Sequence, residues 1–133
     1  MYLLDSSAWL AHLFGEPGMA EVSTLLTEEA NRVHISVLSL PEVYTRLKAL
    51  GEETKWPLTW STYQPLFAQV LTADERIAHQ AIILRAITPQ RLPTIDALIA
   101  ATAVVYGFTL VHRDPHLAAI PVAQLPQIQL PER

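Results

Sequence analysis

Cysteine is absent from the 133-residue chain, which excludes a disulfide framework, thiolate zinc sites, iron–sulfur clusters and a cysteine nucleophile, and fits a reducing cytosol. Charge is scarce: 17% of residues are Asp, Glu, Lys or Arg, and 9 basic against 13 acidic residues leave a net charge of −4. That sign excludes nucleic-acid binding by blanket phosphate neutralisation, so any nucleic-acid chemistry must be local. No run reaches the ~18 uninterrupted apolar residues of a membrane span. The opening Met1-Tyr2-Leu3-Leu4-Asp5 also lacks the basic segment and long apolar run of a signal peptide. The expectation is a soluble, cytoplasmic protein with no membrane partner. What is abundant is apolar: 50% of residues are hydrophobic and mean hydropathy is +0.23, enough to offset chain entropy and exclude disorder. A single domain over residues 1–133 is expected, with surplus apolar surface covered by a second copy or a partner.

Tyr2-Leu3-Leu4 reads as a strand ending at Asp5, followed by a helix from Ser7 to Phe14 that Gly15 and Pro17 stop. A second helix over residues 18–29 precedes the β-branched strand 33–37. Ser39-Leu40-Pro41-Glu42 opens a third helix, with Pro in the first turn and a Ser/Glu spacing that allows a capping box. The stretch 51–57, broken by Pro57, reads as a loop before a helix around Trp60–Phe67, and Trp56, Trp60 and Tyr63 read as packing rather than a base-stacking platform. Asp74 caps the next helix. A strongly apolar helix over 97–106 ends at Gly107, a strand follows at 108–111, and residues 127–130 offer a last strand. This alternation predicts a three-layer α/β/α fold with a mainly parallel central sheet. The carboxyl ends of its strands share one edge, where ligands bind.

Three of the chain's four Asp fall at that edge: Asp5 after the first strand, Asp96 at the start of the buried helix and Asp114 after the strand at 108–111. Glu42 opens a further element. Taken singly, each acid is explained by helix capping, which favours Asp and Glu at N-termini by ~0.5–1 kcal/mol. Together, converging carboxylates repel unless a cation neutralises them. With no Cys and no paired His at ligand spacing, an oxygen-only set suits Mg²⁺ or Mn²⁺. Such an ion supports phosphodiester displacement without a covalent nucleophile.

The markers Leu3-Leu4-Asp5-Ser6-Ser7-Ala8, Pro41-Glu42-Val43, the run Asp96 to Ala103 and the closing Leu110-Val111-His112-Arg113-Asp114 resemble the PIN-domain family. Within it, the chain is most similar to VapC-type toxins of bacterial toxin–antitoxin pairs. The resemblance implies a PIN-like fold and a metal-dependent endoribonuclease that acts on RNA and is restrained by a VapB-like antitoxin. DNA would be reached only through that antitoxin, and a homodimer is expected. Asp5, Glu42, Asp96 and Asp114 match the family's catalytic and metal-holding acids. Ser6 and Ser7 fall where small polar residues support the first Asp. His112 departs from the usual Thr or Ser, so a polar contact is altered there or supplied by its ring nitrogens. Arg46, Lys48 and Arg113 are candidate contacts to RNA phosphates.

His112 and His116 flank Asp114, but the pair has no third ligand at helical spacing, so surface histidines are the expectation. The triplet His112-Arg113-Asp114 mimics a kinase catalytic loop in a chain with no glycine-rich loop and no room for a kinase. Two alternatives to the ribonuclease are retained: an inert PIN-like protein-binding module, and a DNA nuclease of the same superfamily.

Overall fold

The computed structural model describes residues 1–132; Arg133, part of the expected domain, lies outside the described residues. Strand β1 (Tyr2–Leu4) leads into α1 (Ser6–Leu13) and α2 (Met19–Thr27). Strand β2 (Val33–Ser36) is followed by α3 (Ser39–Ala49) and α4 (Trp56–Tyr63). A two-residue β3 (Val70–Leu71), α5 (Glu75–Ile87) and α6 (Thr94–Tyr106) come next, then β4 (Thr109–His112), α7 (Pro115–Ala118) and β5 (Gln127–Gln129). The sheet has the order β3-β2-β1-β4-β5 and every pairing is parallel. The architecture is the three-layer α/β/α arrangement expected of the sequence.

Side chains alternate across a pleated strand, and the central strands use that alternation to build two cores. Leu3 and Leu110 join Ile77, Leu84 and Ile99 of α5 and α6 on one side. Leu4 and Val111 join Ala8, Trp9, Val22, Val43 and Tyr63 of α1, α2, α3 and α4 on the other. A helix flanked by apolar neighbours is apolar nearly all round: α6 buries Ala97, Ile99, Ala100, Ala101, Thr102 and Ala103. It stops at Gly107, whose φ of 72° favours glycine.

Trp9 is fully buried, with ring centroids of Trp56, Trp60, Tyr63 and Phe67 at 6.2, 6.1, 5.5 and 5.5 Å. The aromatic cluster of α4 is therefore core. Pro57, read from the sequence as a break, instead sits in the first turn of α4, where its missing N–H costs nothing and its fixed φ suits the helix. The capping box expected at Ser39 does not form. Leu38 is the N-cap without a side-chain hydrogen bond, and Ser39 Oγ is buried without a partner among the described residues. Glu42 is thereby left to a different contact.

Candidate active site

The chain runs outward from β1 through β2 to β3, then returns to lay β4 on the other flank of β1. The strand order thus reverses between β1 and β4, and open parallel sheets bind ligands at such a reversal, beyond the strands' carboxyl ends. Asp5 leaves β1 and Asp114 lies two residues past β4 at this crevice. The Asp5 amide donates to Val111 O at 2.9 Å, which holds the two strand ends together.

Asp5 is a helix cap and more than a cap. Its Oδ2 accepts from Ser7 N at 3.0 Å and from Ser7 Oγ at 2.6 Å. Its Oδ1 is buried with no partner among the described residues, although the residue is only 1% exposed. Burial pushes the Asp5 carboxyl above its ordinary value despite the two Ser7 hydrogen bonds, and the Asp114 charge adds to the rise. Asp114 likewise caps α7, with Oδ1 accepting from His116 N at 2.8 Å. Capping and convergence coexist because each carboxylate has more acceptor sites than its cap uses.

Glu42 comes from the first turn of α3, and its Oε1 accepts from Ser6 Oγ at 2.9 Å. Its carboxyl is raised by burial and by Asp5 and Asp114, against the lowering effect of Ser6. Asp96 lies in the first turn of α6. Burial, followed by repulsion from Asp114, Asp5 and Glu42, pushes its carboxyl up to about 7. Asp5, Glu42 and Asp96 are thus each raised in part by the charge of Asp114, and converging carboxylates repel unless a cation neutralises them. Asp96, Asp114 and His116 each offer one ligand atom within 4.8 Å of the others. Donors opposed across one ion with bonds of roughly 2.1 Å are about 4.2 Å apart, so the cluster fits a divalent ion after a small side-chain adjustment.

The supporting residues are ordered by the same contacts. Ser7 Oγ, besides donating to Asp5, accepts from Arg113 N at 3.0 Å. His112 is fully buried. Its Nε2 meets Gln127 Oε1 at 2.7 Å and its Nδ1 accepts from Asp114 N at 3.1 Å. It therefore braces the main chain at Asp114 with both nitrogens engaged. Arg46 and Arg113 line an open groove beside Asp114 with Ser7, Leu10, Phe14 and Glu16. The Arg113 guanidinium is ion-paired with Glu16, a loop acid between Gly15 and Pro17 that no sequence signal marked. Lys48 is exposed and, two residues on from Arg46, sits on another face of α3; the structure does not bring it to the groove. His112, expected at the surface, is instead buried against Gln127 and the Asp114 amide. His116 is exposed, as expected, but it also stands beside Asp96 and Asp114. The signal was its place two residues after Asp114, inside the helical turn that Asp114 caps.

The PIN domain family model matches residues 2–123. The chain belongs to the PIN-domain family. This PIN domain superposes on VapBC2 from Rickettsia felis bound to a DNA fragment from their promoter, with TM-score 0.78 at 16% identity over 98% of both chains. It superposes on FitAcB from Neisseria gonorrhoeae with TM-score 0.75 at 24% identity over 97% of both chains. It is also similar to Mycobacterium tuberculosis VapC20, a sarcin–ricin loop cleaving toxin. There the TM-score is 0.70 at 18% identity, over 90% of this chain and 94% of that one. No curated protein sequence matches the chain. Among the described residues, no helix is long and apolar enough to cross a membrane.

Proposed function

We propose that this PIN domain is a Mg²⁺- or Mn²⁺-dependent endoribonuclease and the toxin member of a VapBC-type toxin–antitoxin pair, acting in the cytoplasm. The observation that carries the reading is the unpartnered Oδ1 of buried Asp5 beside three further acids. A buried carboxylate oxygen without a hydrogen bond costs several kcal/mol unless a cation meets it.

In this reading Asp5, Asp96 and Asp114 hold the metal, and Glu42 ligates directly or through water. A bound divalent ion supplies an activated water and stabilises charge on the scissile phosphate. Ser7 and Ser6 orient Asp5 and Glu42, so that each carboxylate keeps a free oxygen toward the crevice. His112 fixes the main chain at Asp114. Arg46 flanks the acids and engages a backbone phosphate of the RNA, the local positive charge that a chain of net charge −4 requires. Arg113, expected from the sequence as a second phosphate contact, has a side chain that is 8% exposed and neutralised by Glu16, so it shapes the groove wall instead.

RNA is preferred as substrate because a structural relative of this PIN domain cleaves the sarcin–ricin loop. DNA is reached through the antitoxin, in keeping with the promoter fragment carried by the Rickettsia complex. A VapB-like partner and a second copy of the chain account for the exposed apolar surface. On α5, Ile82, Ile83 and Ile87 are 64%, 50% and 41% exposed.

The test is incubation of the purified chain and its Asp96→Asn variant with structured RNA and with single-stranded DNA, with Mn²⁺, with Mg²⁺ and with chelator. Metal-dependent cutting of RNA alone, lost in the variant, is the expected result. Cutting of DNA would favour the DNA nuclease. A folded protein that cuts neither substrate would favour the inert binding module.

A further inference from the structure

The acidic quartet does not account for His116. Its amide and its ring both reach Asp114 Oδ1, at 2.8 and 3.1 Å. One ring nitrogen lies within 4.8 Å of carboxylate oxygens of both Asp96 and Asp114. The side chain is half-exposed, so the ring reaches an ion entering from the open edge of the sheet without being uncovered first. Its position is set by the main chain, since α7 starts at Pro115 and the Asp114 cap fixes the turn that carries it.

We infer that His116 donates a nitrogen ligand to the metal at this site, making it a mixed oxygen–nitrogen centre that prefers a transition-metal ion to Mg²⁺. The inference rests on the metal-dependent reading above and deepens it. A carboxylate-only set suits Mg²⁺, which dehydrates reluctantly and demands oxygen ligands in a near-ideal octahedron. An imidazole suits first-row transition ions. The adjacent unpartnered Oδ1 of Asp5 is an independent sign that the crevice is built around a cation. His112 is not a competing ligand, because its two nitrogens are already taken by Gln127 and by the Asp114 amide.

The experiment uses the full chain loaded with Mn²⁺, read by electron spin-echo modulation from a directly bound ¹⁴N, and by calorimetric titration with Mn²⁺ and with Mg²⁺. The wild type is expected to show nitrogen modulation that His116→Ala removes and that His79→Ala, a change on the exposed face of α5, retains. The Mn²⁺-over-Mg²⁺ preference should fall at least about tenfold in His116→Ala, a loss as large as that caused by removing a ligand's supporting partner. Mn²⁺ bound without nitrogen modulation, or modulation that persists in His116→Ala, overturns the nitrogen ligand and leaves the ribonuclease reading standing. Failure of the wild type to bind either ion overturns both. Absence of nitrogen modulation in the wild type overturns the inference without any variant, and His116→Gln, which keeps a side chain in the Asp114-capped turn, repeats the assignment if His116→Ala folds poorly.

Discussion

Ser7 and Arg113 meet across the crevice: the Arg113 amide donates to Ser7 Oγ at 3.0 Å, and the same hydroxyl donates to Asp5 Oδ2 at 2.6 Å. One side chain thus ties the exit of β4 to the start of α1 and sets the rotation of the Asp5 carboxylate. Replacing Ser7 by Ala leaves a main-chain N–H and a buried carboxylate oxygen each short of a partner. The expected loss is about 1–3 kcal/mol of stability and about 10–100-fold in metal affinity. Urea unfolding and Mn²⁺ calorimetry on the same preparation measure the two, and an unchanged affinity would refute the orienting role.

Asp96→Asn separates stability from function. Its carboxyl is held near 7 by burial and by three neighbouring acids, so in the metal-free protein ionised Asp96 opposes folding. A neutral isostere removes that repulsion. The metal-free Tm of the variant at pH 8 should exceed that of the wild type, while Mn²⁺ should raise the wild-type Tm and leave the variant's unmoved. A stabilised protein that has lost its site is the pattern expected where strain is stored for function. A variant less stable than wild type in chelator would contradict it.

Much of this was legible in the sequence because strand ends and helix starts carry local signals. Asp5, Asp96 and Asp114 could be placed at one edge from strand-then-helix alternation alone, and Gly107 and Asp74 marked their helix ends. Glu42 was legible as a helix-start acid, but its partner was not: Ser39 was the candidate, and Ser6, expected beside Asp5, instead donates to Glu42 because α1 packs against α3. Pro57 misled because proline both breaks helices and opens them, and the choice depends on where the preceding turn sits. Strand β3 has 2 residues, too few for any periodicity. For a different reason, the place of His116 was only partly legible and the Glu16–Arg113 pair was out of reach. His116 had a signal in its spacing from Asp114, but that the turn carries it to Asp96 as well depends on how α7 meets α6. The Glu16–Arg113 pair depends on how the loop after α1 folds back over the sheet edge, which residue spacing does not record.

Trp9 organises the second core, and its indole Nε1 is buried without an acceptor among the described residues. Trp9→Ala should cost about 3–5 kcal/mol by leaving a cavity among four aromatic rings. Trp9→Phe should cost much less, because it gives up volume but no hydrogen bond and removes an unsatisfied donor. Thermal unfolding of the two variants in chelator checks the ordering, and near-equal losses would mean that the indole N–H has a partner after all.

The pH dependence of stability carries the sign of the acid cluster, provided the buried histidines are taken out. Asp96 rises from the ordinary 3.8 to about 7 in the folded chain, so between those values the folded state binds more protons than the unfolded one. Stability from this group is fully present below about 3.8 and is lost as pH rises through about 7. Asp5 and Glu42 shift in the same direction. His12 and His34 act oppositely: burial lowers both below 6.5, so the stability they withhold at low pH returns as pH rises toward that value. Subtracting the Asp96→Asn profile from the wild-type profile cancels the histidines and leaves the Asp96 contribution. In chelator the wild-type Tm should fall relative to the variant's as pH rises from about 5 to about 8. Mn²⁺ should reverse that trend, because the ion competes with protons for the same oxygens and binds more tightly as they leave. A flat difference in chelator would mean that Asp96 ionises as an ordinary surface carboxylate, unaffected by the neighbouring acids.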